Sequence, residues 1–267
     1  MAHAEINGAK LYYSDVGTGA TTLFFVHGLA FDGHMFDPQI EHFKHHYRCI
    51  SLDLRGHGQS ELTEGGYEMD AMSSDAANLI RTLACGPCHF VGWSIGGFMG
   101  MRIAIREPEL VKSLTLIGTA AIDGRKETDF GFKLVPPLGR LFGMGAITGS
   151  LMSSMFAKAF LKDPARAEIR EEWRKRFRAG RGLGVSRAAA GVIAQKPIQS
   201  ELGGITAPTL MIRGEFDGVV SLAHTERTVK GISGAQFVSV KRAGHACTIE
   251  EPEQTARALD TFLKAVS

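Results

Sequence analysis

The chain has four cysteines in 267 residues, at positions 49, 85, 88 and 247. They are too few and too scattered for the disulfide framework of a small secreted domain. Three of them fall within or beside apolar segments expected to be buried strands, which suits reduced thiols. Also missing is any apolar run near the roughly 20 residues that a bilayer span requires. Met1 to Lys10 carries Glu5 and Asn7 where a signal peptide would have its apolar stretch, so no membrane partner is expected and the expected location is cytoplasmic. Neither sign of charge dominates: 30 basic residues face 28 acidic ones, a net charge of +2. With no recognisable binding module beside that balance, nucleic acid is not an expected partner. Internal repeats and low-complexity tracts are absent as well. His42, His45 and His46 cluster on a predicted helix without the carboxylates or cysteines of a metal site and read as surface, and nothing in the chain calls for a metal or a cofactor.

What the chain does have is a core and an alternation. Hydrophobic residues make up 44% of it, enough for one large domain or for one domain with an insertion. Glu5 to Tyr12 reads as an entry hairpin, with Asn7-Gly8 suited to a type I′ turn. Strands are predicted near Thr22 to Val26, Tyr47 to Leu52, His89 to Val91, Ser113 to Ile117, Thr209 to Arg213 and Gln236 to Val240, with helical segments between several of them. This pattern predicts an α/β fold with a mostly parallel sheet covered on both faces. Sites in such sheets gather at the carboxyl ends of the strands, and Gly28, Ser94, Asp217 and His245 all follow predicted strands directly.

Phe90-Val91-Gly92-Trp93-Ser94-Ile95-Gly96-Gly97 is the most informative stretch. An apolar run stops at Gly-x-Ser-x-Gly and a helical pattern, Met99 and Ile103, begins directly after it. A serine in so sharp a turn is held in strained φ/ψ, which only small neighbours such as Gly92 and Gly96 permit, and its hydroxyl stands clear of the sheet. Leu23 to Gly28 ends in a His-Gly turn, Asp53 to Ser60 forms a loop after the next strand, and Gly214-Glu215-Phe216-Asp217 and Ala243-Gly244-His245 close the series. Over nearly its whole length the chain thus resembles the α/β-hydrolase family, whose triad runs in the order Ser, Asp, His.

That resemblance implies Ser94 as nucleophile, His245 as general base and Asp217 as the acid that orients it, with the backbone N–H groups of Leu29 and Ile95 as an oxyanion hole. Asp123, after the sixth strand, is a rival for the acid. His27 is expected to brace its turn and His57 its loop. Trp93 either packs beside the elbow or lines the acyl pocket as a substrate contact.

The alternation breaks between about 121 and 200, leaving 1–120 and 201–267 as the hydrolase core and 121–200 as an inserted helical cap. Asp163-Pro164 is a good N-cap and N1 pair, after which Ile169, Trp173 and Phe177 form an apolar face. Arg166, Arg170, Arg174 and Arg178 form a second row, and Glu171 with Lys175 and Glu172 with Arg176 can pair along a third. From Lys158 to Arg187 ten basic residues stand against four acidic ones, +6. Either this is a solvated helix face or it docks an acidic carrier protein or anionic substrate.

Cys85-Gly86-Pro87-Cys88 has the spacing of a thioredoxin-type redox pair. The helical pattern Ala76, Leu79, Ile80, Leu83 precedes it, however, placing Cys85 at a helix C-terminus, where the dipole disfavours thiolate.

The function expected from all this is a serine hydrolase acting on carboxylic esters or lactones of small, largely apolar substrates through an acyl-enzyme. The resemblance also admits, as alternatives, a methyl esterase for carrier-bound acyl chains, a carbon–carbon bond hydrolase, a cofactor-free perhydrolase, or a ligand receptor on a hydrolase scaffold.

Overall fold

The predicted hairpin and the six predicted strands assemble into one eight-stranded sheet. The computed structural model describes residues 2–127 and 130–266. Met1, Thr128, Asp129 and Ser267, which belong to the expected core and insert ranges, lie outside the described residues. The strands are β1 (Ala2–Ile6), β2 (Ala9–Val16), β3 (Thr22–Val26), β4 (Arg48–Leu52), β5 (Cys88–Trp93), β6 (Val111–Ile117), β7 (Thr209–Gly214) and β8 (Gln236–Val240), in the spatial order β1-β2-β4-β3-β5-β6-β7-β8. β1 and β2 form the expected hairpin, its turn made by Asn7 and Gly8 at φ 49° and 71°. Both values are positive, as a type I′ turn needs. β2 meets β4 antiparallel and every later pairing is parallel.

The order reverses between β3 and β5: the chain runs outward from β3 to β4, then returns to lay β5 on the other side of β3. A crevice opens outside the strand ends at such a reversal. The two loops that leave it are the His27-Gly28 turn and the Ser94 elbow.

Twelve helices are described: α1 (Asp37–Phe43), α2 (Met69–Thr82), α3 (Ile95–Arg106), α4 (Gly124–Glu127), α5 (Phe130–Lys133), α6 (Val135–Met155), α7 (Lys158–Lys162), α8 (Ala167–Ala179), α9 (Gly182–Ala194), α10 (Leu222–Gly231), α11 (Cys247–Glu250) and α12 (Pro252–Val266). α2 packs on α3 and α1 packs on α12, and β3, β5 and β7 are buried at every residue, so the centre of the sheet is covered on both faces. Phe24, Phe25, Leu23, Phe90 and Leu114 are fully buried between these layers. Helices α4 to α9 form the insertion between β6 and β7, with α6 packed on α8 and α9. α6 is bent at Gly143, where φ 68° and ψ −177° leave the helical region. Among the described residues no helix is long and apolar enough to cross a membrane.

Two local expectations shift. Asp163 does cap, accepting from the Ala165 N–H, but it opens a single tight turn over Pro164–Arg166 before α8 begins at Ala167. Glu172 pairs with Arg176 as the spacing predicts, whereas Glu171 takes Arg174, three residues on, in place of Lys175. On the apolar face of α8, Trp173 and Phe177 are buried.

The Cys-Gly-Pro-Cys segment lies between the end of α2 and the start of β5, with both thiols buried and free. Burial pushes Cys85 up to about 11 and Cys88 higher still, the reverse of what a reactive thiol pair needs.

Candidate active site

Ser94 sits at the junction of β5 and α3 with φ 51° and ψ −111°. A non-glycine residue rarely adopts positive φ, and strain of this kind persists only where the surroundings enforce it. The neighbours enforce it by close approach. A Cβ built on Gly96 would stand 2.0 Å from the Val26 carbonyl oxygen, and one on Gly92 would stand 2.3 Å from that of Gly96. The His-Gly turn presses on the same point, since a Cβ on Gly28 would lie 2.8 Å from the Ser94 Cβ.

Leu29 follows Gly28, and after it Ala30 is also held at positive φ, 65°. Among the described residues no acceptor is bonded to the backbone N–H of Leu29 or of Ile95. For Ile95 the reason is elementary, because the first N–H groups of a helix have no intrahelical partner. Both orphan donors therefore belong to the loops that flank Ser94.

Asp217 and His245 meet as the strand order requires. The Asp217 Oδ2 accepts from the His245 Nδ1–H at 2.9 Å, and both side chains are buried. The other oxygen, Oδ1, accepts from the backbone N–H groups of Val219 (2.8 Å) and Val220 (3.0 Å). Burial pushes the Asp217 pKa up, but the imidazole and these two N–H bonds outweigh it and hold the carboxyl below its ordinary value. The rival carboxylate, Asp123, is engaged elsewhere, at the start of α4 with Lys126.

The acid and histidine loops are laced together by backbone. Glu215 N–H bonds the Val240 carbonyl and Phe216 N–H that of Ala243, while a Cβ on Gly214 would meet the Gly244 oxygen at 1.9 Å. Gly118, at the end of β6 with φ 53°, leaves room for the imidazole: a Cβ there would lie 3.1 Å from His245 Nδ1. Trp93 is 1% exposed, its indole N–H donates to the His245 carbonyl at 2.9 Å, and its ring lies 4.6 Å from the imidazole and 4.7 Å from Phe31.

His27 and His57 do brace their loops. His27 Nδ1 lies 2.7 Å from the Gly28 carbonyl and its Nε2 accepts from Leu54 N–H at 2.9 Å. Burial drives its pKa down to about 4 and that of His57 to about 3, so both are neutral supports. His42, His45 and His46 are exposed on and after α1.

Two residues that hold this site escape sequence reasoning. Arg213, buried at the end of β7, donates to the carbonyls of Gly214, Glu215, Asp217 and Val220, wrapping the acid loop. A cation closing a buried strand is the one available signal, since such a charge must find partners. Glu250, 1% exposed, accepts from Gly244 N–H (2.9 Å) and Ala157 N–H (2.7 Å), and burial pushes its pKa up to about 7.

The insertion packs against the loops that follow β3 and β4. Phe31 stands at the junction with its ring centre 4.9 Å from those of both Trp173 and Phe177. Arg176 reaches Asp32 at 3.2 Å, and Arg181 donates to the Ser60 carbonyl at 2.6 Å. Of the arginine row, Arg170 is turned inward onto the carbonyls of Phe160 and Asp163, and Arg174 pairs with Glu171. A groove of about 640 Å³ runs between Ser153, Phe156 and Lys158 on the insertion and Phe216 and Gly218 on the acid loop.

The family model described as the alpha/beta hydrolase fold matches residues 21–252. The chain is 29% identical over 273 residues to 2-(acetamidomethylene)succinate hydrolase of Mesorhizobium japonicum, covering 98% of this chain and 94% of that one. Among solved structures, the enol-lactonase of Burkholderia xenovorans LB400 superposes with a TM-score of 0.91 at 25% identity, covering 98% and 99% of the two chains. A thermophilic esterase from Thermogutta terrifontis, solved with malate bound, gives 0.92 at 27% identity over 100% and 99%. The fold model spans most of the chain and two solved structures superpose over nearly all of it, and the chain belongs to the α/β-hydrolase family.

Proposed function

We propose that the protein is a serine hydrolase that cleaves carboxylic esters or lactones of small, largely apolar substrates, with residues 121–200 as the cap over the site. The observations that carry this reading are the strained Ser94 after β5, the orphan N–H donors of Leu29 and Ile95, and the buried Asp217–His245 pair on the loops after β7 and β8, its imidazole 4.6 Å from the ring of Trp93, the neighbour of Ser94 in sequence.

In the proposed cycle His245 Nε2 takes the Ser94 proton as Oγ attacks the substrate carbonyl carbon. The carbonyl electron pair moves onto oxygen, where the Leu29 and Ile95 N–H groups receive it. The tetrahedral species collapses, the C–O bond to the alcohol breaks, and the alcohol leaves with the proton from His245. Water then repeats the sequence on the acyl-enzyme. Asp217 stays ionised throughout, fixing the imidazole with Nδ1 protonated and stabilising the imidazolium.

Trp93 is assigned to holding the histidine loop, since its N–H is spent on the His245 carbonyl. Phe156, Ala157 and Phe216 line the groove beside the acid loop, which favours apolar groups there. Among the similar proteins, names that speak of an esterase and an enol-lactonase support ester and lactone chemistry. An acidic carrier protein finds less support, because Arg170 and Arg174 are already engaged within the cap.

The test is turnover on a panel of p-nitrophenyl esters of graded acyl length, simple lactones and carrier-bound acyl methyl esters, with peracid formation monitored alongside. Hydrolysis of the short esters or lactones, lost in Ser94→Ala, is the expected result. Turnover of the carrier-bound or peroxide substrates alone would move the assignment to those activities, and binding without any turnover would make the protein a receptor.

A further inference from the structure

His245 is flanked on both sides by backbone tied to the cap. On one side, Ala246 N–H donates directly to the Met155 carbonyl, the last residue of α6, at 2.9 Å. On the other, Gly244 and Ala157 do not bond each other but are bridged by one carboxylate: Glu250 Oε1 takes Gly244 N–H and Oε2 takes Ala157 N–H. The packing leaves no slack, because a Cβ on Gly244 would lie 2.6 Å from the Ala157 nitrogen and 3.1 Å from the Phe156 carbonyl carbon. Phe156 in turn carries the cap's aromatic contacts, stacked on Phe160 at 5.0 Å and 6.4 Å from Phe31.

A continuous route of packed side chains and hydrogen bonds therefore runs from the face that would meet substrate to the residue beside the proposed base. A buried carboxylate with both oxygens committed to backbone N–H groups is a stiff connector, since releasing either bond leaves a buried donor unsatisfied. We propose that Glu250 is a positioning residue through which the cap sets the His245 imidazole against Ser94. This rests on the reading of His245 as the general base.

The Glu250–Ala157 bond can be broken from either end. Glu250→Ala removes both acceptor oxygens and with them the bond to Ala157. Ala157→Pro deletes the donor itself: Ala157 has φ −63° and ψ 148°, values proline adopts, and Phe156 before it is extended at φ −115° and ψ 142°. The ring carbon on that nitrogen displaces the carboxylate, while the dihedral angles at 156 and 157 already suit proline.

Each variant is expected to lower kcat by about tenfold to a hundredfold, the scale of a misplaced reacting group, with KM within about twofold. The double variant should be no slower than the slower single one, because both remove the same bond. Independent, multiplying losses would overturn the proposal, as would an unchanged kcat with only a lower melting temperature. A second readout needs no substrate: the downfield Nδ1 proton resonance of His245 should move in both variants, and an unmoved resonance in both would overturn the coupling. If the wild-type protein turns nothing over while that resonance still responds, it is the hydrolase reading that has failed and the coupling that stands.

Discussion

Asp217→Asn separates the proposed triad from a merely structural histidine pair, and the structure fixes the outcome. Oδ1 of Asp217 accepts two backbone N–H groups, from Val219 and Val220. An asparagine must keep its carbonyl oxygen there, because the amide NH₂ facing those donors would strand both in a buried site. The NH₂ group is thereby turned toward His245 Nδ1, 2.9 Å from the original oxygen. Two donors then face each other, and the imidazole relieves the conflict by moving its proton to Nε2. In that tautomer Nε2 has no lone pair for the Ser94 proton. The same exchange in a serine triad costs roughly 10⁴ in kcat, or about 5.5 kcal/mol at the transition state. Steady-state kinetics on the best p-nitrophenyl ester should show that loss with little change in KM, and circular dichroism should show an unchanged fold. The matched control, Asp123→Asn, should stay within about a factor of three, the scale of a substitution away from the site. A crippled Asp123 variant beside a nearly wild-type Asp217 variant would refute the reasoning.

The arginines of the insertion should divide by their contacts. Arg170→Gln should cost about 1 kcal/mol in urea unfolding because it releases the carbonyls of Phe160 and Asp163, whereas the exposed Arg178→Gln should be silent; equal effects would contradict this division. Removing all four arginines of the row should leave KM for a neutral ester unchanged, and a salt-sensitive rise in KM confined to a carrier-bound acyl ester would revive the docking role. His27, held near 4 by burial, should show no imidazole titration by NMR between pH 8 and 5. Its contribution to stability is present above the unfolded value near 6.5 and lost as pH falls toward 4, about 3 kcal/mol in all. A midpoint near 6.5 in the folded protein would be incompatible with that environment.

Much of this site was legible because its parts are local. The serine elbow, the His-Gly turn and the acid and histidine loops each announce themselves as a strand followed by glycine and a polar residue, and alternation supplied the order in which the fold joins them. What was not legible depends on partners far apart in the chain. Glu250 meets Ala157 across 93 positions and Arg176 meets Asp32 across 144, and neither pairing leaves a mark on local periodicity. Arg170 reads as one more solvated charge in a row until the fold turns it onto two carbonyls. The bend at Gly143 was hidden for a different reason, since a glycine inside an apolar helical pattern is compatible with both a straight and a broken helix.

Fluorophosphonate labelling of the native protein, with the modified residue identified by mass spectrometry, tests the central claim most directly. The probe needs a serine made nucleophilic by its surroundings, which is what the strained elbow, the Asp217–His245 pair and the two orphan N–H donors are proposed to supply. A single adduct on Ser94, absent from Ser94→Ala and slowed in Asp217→Asn together with ester turnover, is the predicted result. Labelling at another residue, or full ester hydrolysis by the Ser94→Ala protein, would contradict it.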